Sequence, residues 1–252
     1  MKFVLLLLIS ISAYAQDMPY NKAKFKTSHN SYAGKISIID LITTHKVQAI
    51  EFDLHKKGWI KGAPNGDWFV FHHLLDRKSQ IKHFSSAIDI LAKFNKENLN
   101  HDVLTVFLDM DGFNKDHSIK MFNKLLTEKL GNAIYGPNDL KSRCNQSERL
   151  EESVKRCGWP YLSDLKGKII FVIATGDLKE YVESSDAQVA FVASKPNKII
   201  QDSVFMNSSF SDDQEWLQTL KNEGRVLRFY HLNEKEIPKA KELGVNFIAI
   251  DF

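Results

Sequence analysis

Short runs dominated by Val, Ile, Leu and Phe recur at 24–28, 47–54, 68–72, 103–109, 168–174, 188–193, 226–230 and 245–250. Each has the length and the β-branched or aromatic content of a strand, and each is bounded by polar or glycine-containing sequence. Several intervening segments carry a helical period instead. In 117–130, Ile119, Phe122, Leu125, Leu126 and Leu130 fall on one face; 213–223 carries Trp216, Leu217 and Leu220 before Gly224, and 234–243 stops at Gly244. Strands alternating with helices that end at glycine predict parallel β/α units. About eight strands in a chain of 252 residues predict an α/β fold, a single-domain (β/α)8 TIM barrel, with irregular connections at 58–67 and 141–156. In such a barrel the chemistry sits at the C-terminal ends of the strands.

The N-terminal stretch breaks this pattern. Lys2 precedes an apolar run from Phe3 to Ile11, and Ala13-Tyr14-Ala15 places small residues where a signal peptidase reads them. The run is far shorter than the roughly 20 residues of a membrane span. Residues 1–15 therefore read as a signal peptide, 16–252 as the mature domain, and the expected location is secreted or periplasmic. The mature start would be Gln16 and not a cysteine, which argues against a lipoprotein anchor. In an oxidising compartment Cys144 and Cys157 are expected to form a local disulfide. Neither has the spacing of a zinc or redox motif. The formal charge of +3 comes from interleaved acids and bases, so no nucleic-acid footprint is expected.

Chemistry-bearing residues gather where the strands stop. The first run leads into Thr27-Ser28-His29-Asn30-Ser31-Tyr32, and the second reads Ile50-Glu51-Phe52-Asp53-Leu54-His55. Alternation points Glu51, Asp53 and His55 to one face and Ile50, Phe52 and Leu54 to the other. The third run ends in His72-His73, and the fourth in Asp109-Met110-Asp111-Gly112. Carboxylates inside a barrel are costly unless paired or bound to metal. Asn30, Glu51, Asp53 and Asp109 form an all-oxygen set suited to one hard divalent cation, of which calcium is the natural choice outside cells. Flanking histidines, His29 and His72, supply the acid/base pair that phosphodiester cleavage needs.

With these residues in place, the sequence resembles the phosphatidylinositol-specific phospholipase C-like phosphodiesterase superfamily, and most closely its bacterial calcium-dependent branch. The resemblance rests on TSHNSY (Thr27–Tyr32), IEFDLH (Ile50–His55), VFHHLLD (Val70–Asp76), LTVFLDMDG (Leu104–Gly112) and GWPYLSDLKGKIIFVI (Gly158–Ile173), with a degraded closing strand in LGVNFIAIDF (Leu243–Phe252). It implies a TIM barrel and a calcium-dependent phosphodiesterase of the phospholipase C type acting on phosphatidylinositol or a related glycerophospholipid, with peripheral membrane contact. It further implies Asn30, Glu51 and Asp53 as metal ligands, Glu51 also as base, His72 as general acid and His29 as stabiliser of the transition state. Two positions depart from the family pattern: Asp109 stands where a glutamate is usual, and Asp111 near a position often held by lysine. Lys166, Lys168, Lys195 and Arg228 are the candidate replacement cations.

Two other readings stay open. One is a glycerophosphodiester phosphodiesterase-like hydrolase with a soluble substrate; the other is an inactive barrel that binds a phospholipid head group or glycan. Oligomeric state has no signature in the sequence. Expression with the native leader in an exporting bacterial host is expected to yield protein starting at Gln16. Intact-mass measurement of the exported protein checks this, and a retained Met1 would contradict it.

Overall fold

The computed structural model describes residues 17–58, 61–72, 79–144, 149–184, 187–210 and 212–250. The expected leader at 1–15, His73, residues 74–76 of the third motif and residues 251–252 of the last lie outside the described residues.

The strands are β1 (Ala49–His55), β2 (Phe69–Val70), β3 (Leu104–Met110), β4 (Ile169–Ile173), β5 (Phe191–Ser194), β6 (Phe205–Ser208), β7 (Val226–Phe229) and β8 (Phe247–Ile248). They form one sheet in the order β2-β1-β3-β4-β5-β6-β7-β8, parallel throughout except that β2 runs antiparallel to β1. Residues 25–28 close it into a ring. Phe25 N–H donates to Asn246 C=O at 2.8 Å and His29 N–H to Ile250 C=O at 2.7 Å on one side, and Ser28 N–H donates to Ala49 C=O at 2.8 Å on the other. The staves of the barrel are thus this segment, β1 and β3–β8.

The run at 68–72 was expected as a stave, and the structure corrects this: β2 is the return arm of a hairpin from β1. Aromatic and β-branched content predicts extended chain but not its direction. The missing stave is β6, in Ser203-Val204-Phe205-Met206-Asn207-Ser208-Ser209, where serine and asparagine dilute the strand pattern.

Alternation along the staves sorts the core into two layers. Outward residues such as Ile50, Phe52, Leu54, Val106, Leu108, Phe171 and Ile173 pack beneath the helices. Inward residues, among them Ala49, Phe107, Val172, Ala193, Phe205 and Phe247, fill the barrel. Its N-terminal end is plugged by aromatics: Tyr20 lies 5.0 Å from Trp159 between ring centroids, and Phe25 stacks on Phe247 at 4.6 Å. The Tyr20 hydroxyl shares a 2.7 Å hydrogen bond with Thr105 Oγ1. An apolar floor leaves the C-terminal mouth as the polar end.

Among the described residues, eight α-helices surround the barrel: α1 (Ile38–Thr43), α2 (Phe84–Glu97), α3 (Ile119–Leu130), α4 (Pro137–Ser142), α5 (Leu150–Cys157), α6 (Leu178–Glu183), α7 (Gln214–Asn222) and α8 (Glu236–Glu242). In α2, Phe84, Ala87, Ile88, Leu91 and Phe94 form one buried stripe. Ser118 caps α3 by accepting from Met121 N–H, and Asp213 caps α7 by accepting from Trp216 N–H. The barrel is irregular where no helix separates β5 from β6. The segment 141–156, expected as irregular, instead holds the end of α4 and most of α5, a helix with buried apolar anchors only at Leu150 and Val154. Cys144 and Cys157 are disulfide-bonded, with Cα atoms 5.9 Å apart.

Burial raises the phenol pKa of Tyr20 and Tyr181 far above the ordinary value near 10. The folded chain therefore holds these protons more tightly than the unfolded chain. Their contribution is complete below about pH 10 and is lost as pH rises through the shifted values. Absorbance at 295 nm should show these two phenols ionising only together with loss of the fold above about pH 10. Full tyrosine ionisation in protein that keeps its native circular dichroism would contradict this.

Candidate active site

The site begins with the way β1 shares one edge between two neighbours. The lower half pairs with residues 27–28, and the upper half pairs with β2 through Leu54–Val70 and His55–Phe69. The 27–32 segment then turns across the mouth. Asn30 adopts φ 45°, a left-handed conformation that asparagine tolerates better than most residues. Ser31 fastens the turn to β1: its Oγ accepts from Glu51 N–H at 3.1 Å and donates to Ser28 C=O at 3.0 Å. On the upper edge the antiparallel return carries His72 back to the level of Asp53. His29 and His72 thus reach the same mouth from two different chain segments.

Glu51 and Asp53 project inward from β1, and Asp109 projects from β3, whose parallel register sets it beside Asp53. One carboxylate oxygen from each lies within 4.8 Å of the others. Calcium ligands at about 2.3–2.6 Å from the ion can be separated by no more than about 5 Å, so the three carboxylates fit a single such cation. Gly112 ends the strand motif with φ +89°, and a Cβ there would collide with the Asp177 carboxylate, which accepts from Phe113 N–H at 2.9 Å. Asn30 stands at the rim, its Oδ1 accepting from the Tyr32 hydroxyl at 3.1 Å.

That contact also orients a histidine. With Asn30 Oδ1 turned to Tyr32, its amide nitrogen donates to His29 Nδ1 at 3.1 Å, so in the neutral ring the proton sits on Nε2. His29 Nε2 lies 3.5 Å from Glu51 Oε2. His72 is held in the opposite sense, with Nδ1 2.7 Å from Asp53 Oδ2, and its side chain is 43% exposed. One histidine is fixed as an Nε2–H donor inside the mouth; the other has a carboxylate behind it and open access to solvent.

Beneath the carboxylates lies Arg228 on β7. Its side chain is 2% exposed, and Nη2 approaches Glu51 Oε2 to 2.7 Å as an ion pair. Nη1 donates to Asn207 Oδ1 on β6 at 2.6 Å, and the guanidinium lies 4.7 Å from the centre of the Phe107 ring. Of the other candidate cations, Lys166 pairs with Asp102 and Lys168 donates to Asn132 C=O, both ahead of β4 and away from the mouth. Lys195 follows β5 and lines a cleft of about 320 Å³ together with Thr175. Asp111, standing near the expected lysine position, has a lysine as neighbour: Lys56 Nζ lies 3.9 Å from Asp111 Oδ1, and Lys56 N–H donates to Asp111 Oδ2 at 3.0 Å.

Arg228 is among the cations expected from the sequence, whereas Asn207, Thr175, Tyr230 and His231 stand in no motif. Thr175 donates to Asp109 Oδ1 while accepting from Met110 N–H at 2.9 Å. Tyr230 and His231 follow β7, and the His231 ring meets His29 edge-on at 5.8 Å. Burial, then the Asp212 and Asp109 carboxylates, push the Tyr230 phenol above its ordinary pKa against the opposing pull of Arg228. These residues stand after or within short strands with no recognisable motif. Their one signal was position, since each lies at or just past the C-terminal half of a stave.

No protein-family model matches the sequence, and no curated protein does. The fold has counterparts nonetheless. The chain is similar to a calcium-dependent phosphoinositol-specific phospholipase C from the Gram-negative bacterium Pseudomonas sp., with a TM-score of 0.79 and 17% identity over 92% of this chain and 90% of that one. It is also similar to a Ca2+-dependent phosphatidylinositol-specific phospholipase C from Streptomyces antibioticus, with a TM-score of 0.70 and 18% identity over 93% and 95% of the two chains. The fold is the one these structures share, an irregular TIM barrel, as the sequence predicts.

Arg228→Met would leave the Glu51 carboxylate buried without its guanidinium, and we expect a loss of about 3–5 kcal/mol of unfolding free energy in urea titrations. Adding Glu51→Gln should recover much of that loss, because the uncompensated charge is gone. A double variant no more stable than Arg228→Met would contradict the ion-pair assignment.

Proposed function

We propose that the protein is an exported, calcium-dependent phosphodiesterase of the phospholipase C type that cleaves phosphatidylinositol or a related glycerophospholipid. The observation that carries this reading is the meeting, at one barrel mouth, of three convergent carboxylates with two histidines held in different protonation geometries. Glu51, Asp53 and Asp109, with the Asn30 amide oxygen at the rim, would hold the cation. A bound calcium ion supplies charge for the phosphate oxygens and makes a coordinated hydroxyl more acidic.

The chain's own residues then divide the work. Glu51, facing the mouth beside His29, accepts the proton of the substrate hydroxyl that attacks phosphorus. His29 presents Nε2–H to the oxygens that gain charge as the transition state forms, with the Asn30 amide holding its other nitrogen. Asp53 stabilises the His72 imidazolium through Nδ1–H, and Nε2–H passes its proton to the glycerol oxygen as the phosphorus–oxygen bond breaks. Exposure of His72 lets it recover that proton from solvent.

The test uses mature protein, phosphatidylinositol vesicles and calcium. Diacylglycerol should appear with calcium and stop on chelation, and His29→Ala and His72→Ala should each lower turnover by about 100-fold or more with the fold intact. Wild-type rates in both variants would overturn the site assignment. Release of glycerol phosphate from soluble diesters instead of diacylglycerol would favour the glycerophosphodiesterase reading. Binding of head groups with no turnover of any phosphodiester would favour the inactive barrel.

A further inference from the structure

Arg228 has a place in the charge balance of the mouth that its structural pairing does not exhaust. The three convergent carboxylates carry three negative charges, and the guanidinium that touches Glu51 supplies one positive charge. The guanidinium is almost wholly buried, and its Nε and Nη2 have no aligned hydrogen-bond acceptor among the described residues. Its field is therefore screened little by solvent and acts directly on whatever occupies the space above Glu51.

We propose that Arg228, held by Asn207 on the adjoining strand, is the residue that sets which cation charge the carboxylate site accepts, selecting divalent over trivalent ions. This inference rests on the metal-site reading above and concerns its selectivity. Repulsion between Arg228 and a bound cation grows in proportion to the cation's charge, so a trivalent ion loses half as much again as a divalent one. Trivalent lanthanides share calcium's preference for oxygen ligands and nearly its radius. They isolate charge from size and ligand chemistry. Asn207 contributes through its hydrogen bond of 2.6 Å to Nη1, which keeps the charge beneath Glu51 and leaves it unneutralised, because an amide oxygen accepts without bringing a negative charge.

Isothermal titration calorimetry with Ca2+ and Tb3+, at one fixed pH and with no substrate present, reads the ratio of the two dissociation constants. Arg228→Gln should shift that ratio toward Tb3+ by about ten- to a hundredfold, the size expected for one unit of charge acting at close range in a partly screened interior. Asn207→Asp should shift it in the same direction with the guanidinium still in place, by neutralising the charge where it stands. Arg228→Lys, which keeps the charge, should leave the ratio within about twofold of wild type. Should Arg228→Gln fail to fold by circular dichroism, Asn207→Asp against Arg228→Lys decides the matter.

A purely structural role for Arg228 would weaken binding of both ions together and leave the ratio unmoved. An unchanged ratio in Asn207→Asp overturns the proposal. Wild-type protein that binds neither ion at millimolar concentration overturns the metal-site reading itself, a result distinct from two measurable affinities whose ratio does not move.

Discussion

The pairing of Glu51 with Arg228 is the interaction on which the mouth of this barrel depends. A carboxylate on the inner face of a central strand cannot remain charged above an aromatic floor without a compensating cation. The barrel supplies that cation from β7, on the other side of the ring, at 2.7 Å from Glu51 Oε2. Arg228 is in turn steadied by Asn207 and by the Phe107 ring, so residues from β1, β3, β6 and β7 meet at one point. With Glu51 fixed, Asp53 one pleat above it and Asp109 beside Asp53 follow from strand geometry alone. The histidines are then arranged around a rigid acidic centre.

That arrangement explains why the two histidines differ. His29 comes from a turn tied to β1 by Ser31, and the chain Tyr32–Asn30–His29 fixes which ring nitrogen carries the proton. His72 comes from a hairpin arm outside the ring of staves, pairs with Asp53 and reaches solvent. A group that must give up a proton and recover it from water suits the second environment. A group that must present an N–H toward developing charge suits the first.

Much of this was legible in the chain because two periodicities carried it. Period-2 alternation in Ile50–His55 separated the inward acids from the outward Ile50, Phe52 and Leu54, and the packing follows that division. The order of His29, Glu51, Asp53, His72 and Asp109 along the first half of the chain also revealed where the polar mouth would be. Other features lie beyond any local pattern. The direction of the 68–72 run is set by pairing with β1, and the stave at 205–208 is polar enough to pass for a loop. The partnership of Glu51 with Arg228 spans most of the chain, so ring closure creates it and no spacing announces it. Asn207, Thr175 and Tyr230 gain their roles in the same way.

The central claim is that the acidic centre holds one calcium ion above Arg228, and diffraction from crystals grown with calcium tests it most directly. A single anomalous peak should lie about 2.3–2.6 Å from one oxygen each of Glu51, Asp53 and Asp109, with the guanidinium still beneath Glu51. A cation bound elsewhere, or Arg228 swung up into the space between the three carboxylates, would contradict it.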